Sequence, residues 1–265
     1  MAPLPALAEF PYLEVGGTAK AVARSLGLST GAIMPKTLVI FGFGTGISVA
    51  VAEKFGAQGF SVAVVARGEE HLAVGVSALS AKGIAAAAFA ADASDPVAVR
   101  GVLAKIRAKL GPIAAIHWNA YGGGEAGDLA TTDPAAARGV FDVAVIGLLA
   151  AVQEALPDLK AAKDGAVLVT NGAFGELSEQ MDAYAVGMKA MGLALANAAK
   201  HKLVGLLAQR LKDDGVYVGE VMVAGVIKGT RFDSGAPGAI PASTVADKFW
   251  ELYSARSATR ARVAS

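Results

Sequence analysis

Residues 36–48 read KTLVIFGFGTGIS, an apolar run, three glycines and the start of a helical pattern. Thr37–Phe41 is an unbroken apolar, β-branched run, the composition of a strand buried on both faces. Gly42, Gly44 and Gly46 follow at once, and from about Ser48 the pattern becomes helical. A strand that passes into a helix through glycines lets the backbone approach a pyrophosphate, which then rests on the helix N–H groups. The common G-x-G-x-x-G pattern is missed, because Ile47 stands where the third glycine belongs. The looser G-x-x-x-G-x-G spacing fits, with Ser48 in the last place. On the residues alone, a tight structural turn is the competing reading.

Outward from this turn, short apolar runs alternate with longer amphipathic ones. Strands are expected over Phe60–Ala66, Ala85–Ala91, Ile113–Trp118, Ala166–Thr170 and Val216–Val223, with a short edge strand at Ala261–Ala264. Helices are expected over about Ser48–Phe55 and Glu69–Lys82, and from Pro96, capped by Ser94 or Asp95. A long helix is expected over Pro134–Leu156, closed by Pro157; another region ends near Leu211, and a last helix includes Phe249–Ser254. The alternation predicts βαβ units in an α/β fold: a Rossmann-type, doubly wound parallel sheet in a three-layer αβα sandwich. Residues 36–265 read as one dinucleotide-binding and catalytic domain, and 1–35 as an N-terminal extension with a short helix over Thr18–Leu26.

Composition narrows the partners. Net charge is +1 from 24 basic and 23 acidic residues without a basic block, so no nucleic-acid or charged-membrane partner is expected. The absence of cysteine excludes disulfides and thiolate chemistry, and a reducing cytoplasm is the simplest location. The longest apolar run, around Val140–Val152, is broken by Asp142 and Gly147, short of the ~18–20 residues a membrane span needs. The histidines have no metal-ligand spacing. His117 reads as a core residue, and His201, between Lys200 and Lys202, as a solvated helix face.

Arg67 directly follows the second strand, where a dinucleotide's adenosine ribose is met. An acidic residue there suits the free hydroxyl of NAD; an arginine suits the 2′-phosphate of NADP. No acid precedes Glu69, so NADP(H) is expected in preference to NAD(H).

Taken in order, the turn glycines, Arg67, Asp92-Ala93 and Asn119-Ala120-Tyr121-Gly122 resemble the short-chain dehydrogenase/reductase superfamily over roughly Lys36 to Ser254. The resemblance implies cofactor contacts at Gly42, Gly44, Thr45, Gly46, Ile47, Arg67, Asp92, Ala93, Asn119, Ala120 and Tyr121. It places Asp92 on the adenine and Asn119 beside the cofactor at the fourth strand. It also implies that Gly225 and Ile227, in Ala224-Gly225-Val226-Ile227, lie against the nicotinamide, with alanine in place of the family's proline. A small-molecule carbonyl or alcohol substrate and a homodimer or homotetramer come with it.

The family's Asn–Ser–Tyr–Lys set is not intact. Ala144 stands where asparagine is expected, and Thr170-Asn171-Gly172-Ala173 where serine is. Asn171 is the substitute donor to a substrate carbonyl. No Y-x-x-x-K occurs: Lys189 lies five residues after Tyr184, about 140° around a helix from it. Two registers compete. In one, Tyr184 and Lys189 keep their roles at the start of the helix. In the other, Leu193 and Asn197 occupy the tyrosine and lysine positions, and Glu176–Ala190 is an inserted loop or short helix over the cleft. The second is favoured, because a helix from Tyr184 to Leu211 would run about 42 Å. Met181, Tyr184, Met188 and Met191 then line the pocket or simply pack. The functional expectation is an atypical NADP(H)-dependent oxidoreductase. A cofactor-binding protein without turnover, or one with different chemistry in the same cleft, stands beside it.

Overall fold

The computed structural model describes residues 36–122, 126–235 and 237–265. Expectations on the N-terminal extension lie outside these residues. Seven strands form one sheet in the order β3-β2-β1-β4-β5-β6-β7, with every pairing parallel. They are β1 (Lys36–Phe41), β2 (Phe60–Ala66), β3 (Ala86–Ala90), β4 (Ile113–Trp118), β5 (Ala166–Gly172), β6 (Tyr217–Ala224) and β7 (Arg260–Ala264).

The helices are α1 (Ile47–Gly56), α2 (Glu69–Ala81), α3 (Pro96–Leu110), α4 (Pro134–Arg138), α5 (Leu148–Ala161), α6 (Glu179–Gly187), α7 (Met191–Leu211) and α8 (Ala242–Ala255). Side chains alternate across the sheet. Leu38 and Ile40 of β1 enter a core shared with α1, α2 and α8; Val39 and Phe41 enter another shared with α3, α5 and α7. Two buried faces explain why the strand text is continuously apolar rather than alternating. The three-layer expectation holds.

Local signals explain the element ends. Asp95 caps α3, its carboxylate accepting from Val97 N at 2.8 Å and Ala98 N at 3.2 Å, with Pro96 in the first turn. Pro157 does not end its helix, which runs on to Ala161. Proline removes one hydrogen bond, to the carbonyl of Gln153, and both residues lie on the exposed face where water can replace it.

Between α4 and α5 the chain forms a π-helical turn, Asp142–Gly147. The helical stretch Pro134–Ala161 therefore continues through Asp142 and Gly147, and by length and composition it is apolar enough to cross a membrane. The expectation that no run reaches that length is corrected. Its inward residues Leu148, Val152, Ala155 and Leu159 fill the core beside the sheet. Asp158 receives Arg107 Nε of α3 at 2.7 Å.

Candidate functional site

In a doubly wound sheet the crevice lies beyond the strand C-termini where the chain order reverses, here between β1 and β4. Gly42 opens that crevice with φ +77°, and a β-carbon there would lie 2.4 Å from Ala120 N. Asn119 locks the approach: its N–H donates to Phe41 O at 2.9 Å and its Nδ2 to Gly42 O at 3.1 Å. Ser48 Oγ accepts from Gly44 N and donates to Gly44 O, both at 2.8 Å, which closes the turn on itself. A β-carbon on Gly44 would meet nothing within 4 Å, so the turn borders open space. Gly46, at φ +94°, precedes α1, whose first turn has no side-chain cap and no acidic residue. A bare, uncapped helix start beside an open glycine turn fits the phosphates of a dinucleotide.

Two further contacts shape this end of the sheet. Gly147 must be glycine, because a β-carbon would lie 1.9 Å from Ala93 O. The π-helical turn is thereby seated directly on the segment after β3. Asp92 Oδ1 accepts from Ser94 N at 2.9 Å and from Ser94 Oγ at 2.8 Å. These bonds, aided by the nearby Arg67 charge, hold its carboxyl below the usual range. Arg67 itself is exposed.

The segment after β6 reaches the same crevice. Ile227 and Thr230 approach the position a β-carbon on Gly46 would take, at 3.4 and 2.8 Å. Gly42, Gly46, Asn119, Ala120 and Ile227 are thus brought together, with Gly44, Thr45 and Ile47 on the turn between. Tyr121 and Gly225 flank the group, while Arg67, Asp92 and Ala93 stand at the ends of β2 and β3.

The three expected catalytic residues are not brought together. Tyr184 lies in α6, 56% exposed, stacked on Phe174 with ring centroids 5.6 Å apart. It borders an open cleft of about 450 Å³ with Glu176, Met181 and Arg262 of edge strand β7. Lys189 is not on a helix face. It ends α6 at φ +49°, with Ala190 N bonded to Ala185 O at 2.9 Å and Lys189 N to Val186 O at 3.0 Å. That is a Schellman ending with lysine where glycine is usual.

Asn171 is 2% exposed, and its Nδ2 is spent on Asn197 O at 3.0 Å and Glu220 Oε1 at 2.7 Å. No N–H is left for a substrate carbonyl, which corrects the expectation placed on it. The second helix register matches the observed elements, since α7 starts at Met191. Its N-terminus is tied down by Gly192 N to Ala126 O at 2.7 Å. Asn197 faces the end of β5, and Leu193 lies one helical turn before it. Asn197 Nδ2 lies 2.7 Å from where a β-carbon on Gly172 would be.

Sequence reasoning missed the buried charges behind Asn197. Glu220 is fully buried and Lys200 2% exposed. Glu220 Oε2 meets His201 Nδ1 at 2.6 Å and Arg260 Nε at 3.4 Å. His201 thus forms a hydrogen bond with a buried carboxylate, where the sequence suggested only a solvated helix face. Burial pulls the Lys200 ammonium down to about 8, with Glu220 partly opposing the shift. The signal was a glutamate inside the otherwise apolar run of β6. His117 is a core residue as expected, its Nε2 2.9 Å from Thr170 Oγ1 and its ring against Phe249. Burial lowers its pKa to about 3.

Comparison with known proteins places this geometry. The profile of the family described as short chain dehydrogenase matches residues 36–234. A 2,3-dihydro-2,3-dihydroxybenzoate dehydrogenase of Bacillus subtilis is 40% identical over 78 residues, 29% of this chain and 30% of that protein. Alignments to two curated relatives cover 27% and 30% of their lengths, so the matched stretch spans under a third of either. Among solved structures, a metagenomic short-chain oxidoreductase in complex with NADP aligns with TM-score 0.70 at 22% identity, over 86% of this chain and 96% of its own. An NADPH-bound short chain oxidoreductase from Pseudomonas aeruginosa, described as containing an atypical catalytic center, aligns with TM-score 0.74 at 21% identity, over 86% and 94%. At such identities the likeness concerns the fold.

Proposed function

The chain belongs to the short-chain dehydrogenase family, and from that premise we propose that it is an NADP(H)-dependent oxidoreductase acting on a small carbonyl or alcohol with a changed proton-transfer centre. The observation that carries the reading is the open glycine turn pressed onto Asn119-Ala120 beneath an uncapped helix start. When bound, the cofactor supplies or accepts the hydride.

In this reading the backbone of Gly42, Gly44, Thr45, Gly46 and Ile47 receives the pyrophosphate. Arg67 holds the 2′-phosphate as a planar cation. Asp92 and Ala93 meet the adenine; Asn119, Ala120 and Tyr121 line the middle of the crevice; Gly225 and Ile227 lie toward the nicotinamide. The Pseudomonas oxidoreductase, which binds NADPH and has an atypical centre, supports a retained cofactor half beside an altered one.

Leu193 and Asn197 offer no ionisable hydroxyl or ammonium at the helix positions where the family carries them. The substrate oxygen then exchanges its proton with solvent or with Tyr184, and Lys189 serves as a helix ending. General acid–base catalysis contributes about 10²–10⁴-fold, so turnover is slow by comparison with the family. That same loss favours a second reading, an NADP(H)-binding protein without turnover. Residues 36–265 act as one unit and 1–35 as an extension. Copies pair through the outward apolar residues Ile146, Leu195 and Leu206, and the cysteine-free chain works in the cytoplasm.

The test is a fluorescence titration with NADPH and NADH, followed by NADPH oxidation across a carbonyl panel. Arg67→Asp is expected to weaken NADPH by about tenfold or more and to leave NADH nearly unchanged. Equal losses would refute the ribose assignment. Binding without turnover selects the second reading, and absence of binding sinks both.

A further inference from the structure

The loop after β6 carries a cation across the mouth of the crevice, and the cofactor assignments leave it unused. Arg231 Nη2 donates to Tyr121 Oη at 2.6 Å. The guanidinium carbon lies 4.7 Å from the Phe232 ring centroid and 5.6 Å from that of Tyr121. The two rings are themselves 6.4 Å apart. Stacking on two aromatic rings and one hydrogen bond orient a group that otherwise sweeps a large volume.

Among the described residues Arg231 makes no ion pair. The carboxylate nearest in sequence is committed elsewhere: Asp233 accepts from Gly229 N at 2.7 Å and Gly235 N at 2.9 Å. Those two N–H groups hold it below the ordinary carboxylate range. Exposed Lys228 on the same loop adds positive charge. The location is fixed by its neighbours. Thr230, one residue before, sits against Gly46, and Tyr121 follows Ala120, which abuts Gly42.

We infer that Arg231 is an anion anchor at the crevice mouth and that the substrates of this site carry a carboxylate. The inference rests on the oxidoreductase reading and adds to it the class of substrate. A guanidinium held over aromatic faces keeps its remaining N–H groups for a planar, charge-assisted pair with a carboxylate. The clasp lies on the β4 side, toward Gly122, whose missing β-carbon would touch Val143 Cγ2 at 3.3 Å. The glycine turn and α1 follow β1, and Thr230 brings the clasp within one residue of Gly46, so the cofactor's phosphates are the alternative partner that the test has to separate.

The test titrates the full chain, with and without saturating NADPH, with benzoate and its neutral isostere benzamide. Arg231→Met, which keeps the stem without the charge, is the variant, and Arg231→Lys the control for charge without the planar fork. Benzoate is expected to bind roughly tenfold more tightly than benzamide. Arg231→Met brings the two together without changing NADPH affinity, and Arg231→Lys is intermediate. Equal binding of the two probes to the wild type, or a preference that survives Arg231→Met, overturns the inference. So does a tenfold loss of NADPH affinity in Arg231→Met with the benzoate preference intact, which would assign the cation to the cofactor's phosphates. If NADPH itself fails to bind the wild type, the oxidoreductase reading falls, and the titration without cofactor still decides the role of Arg231.

Discussion

Lys189 shows how much one residue can redirect. Its backbone adopts φ +49° to end α6, a conformation that costs an L-residue with a β-carbon about 1 kcal/mol more than glycine. Lys189→Gly is therefore expected to stabilise the protein by about 1 kcal/mol, read as an upward shift of the urea midpoint at unchanged slope. A loss of stability would mean that the lysine side chain makes contacts worth more than the strain. Sequence reading saw that Lys189 came one residue late for an i, i+4 pair with Tyr184. It did not see the helix ending, because glycines stand at 187 and 192 and the left-handed residue is neither. Gly127 packs against this ending, since a β-carbon on it would lie 2.9 Å from Lys189 O.

Between elements, the altered centre is a packing arrangement of β5 against α7 rather than a set of independent substitutions. Gly175 has no room for a β-carbon, which would lie 2.7 Å from the Asn197 carbonyl carbon, so the helix backbone rests on the turn after β5. One turn earlier the Asn197 amide takes the space of a side chain at Gly172. Gly172→Ser alone is expected to cost about 1–3 kcal/mol through overpacking. Asn197→Ala should recover most of that loss in the double variant, giving a coupling energy well outside additivity. Additive effects would show that the two residues do not compete for one space. The helix register was legible as a choice between two alternatives, argued from length. The competition between Gly172 and Asn197 was not, because residues 25 positions apart meet only when the helix lies on the strand end.

At the scale of the whole molecule, acid stability is tied to a histidine in the middle of the sheet. His117 is fully buried, its Nδ1 has no partner among the described residues, and burial lowers its pKa from 6.5 to about 3. Between those values the unfolded chain binds a proton that the native state refuses. This contribution to stability is complete above pH 6.5 and is lost as pH falls toward 3. The expected slope is roughly 1.4 kcal/mol per pH unit in that window. His117→Leu should remove it in urea titrations at stepped pH, and an unchanged acid slope would exclude His117 as the cause. The alternation of strand and helix, the glycine turn on the first strand and the basic residue after the second are legible in the residues alone. Each is a local property: burial on two faces demands continuous apolar text, and a sharp strand-to-helix turn demands glycine. That Asn171 spends its donors on Asn197 O and Glu220, that His201 meets Glu220, and that Arg231 lies over Tyr121 emerges only once the chain has folded. Those outcomes depend on which strands become neighbours, and residues far apart in the chain carry no local signal of meeting.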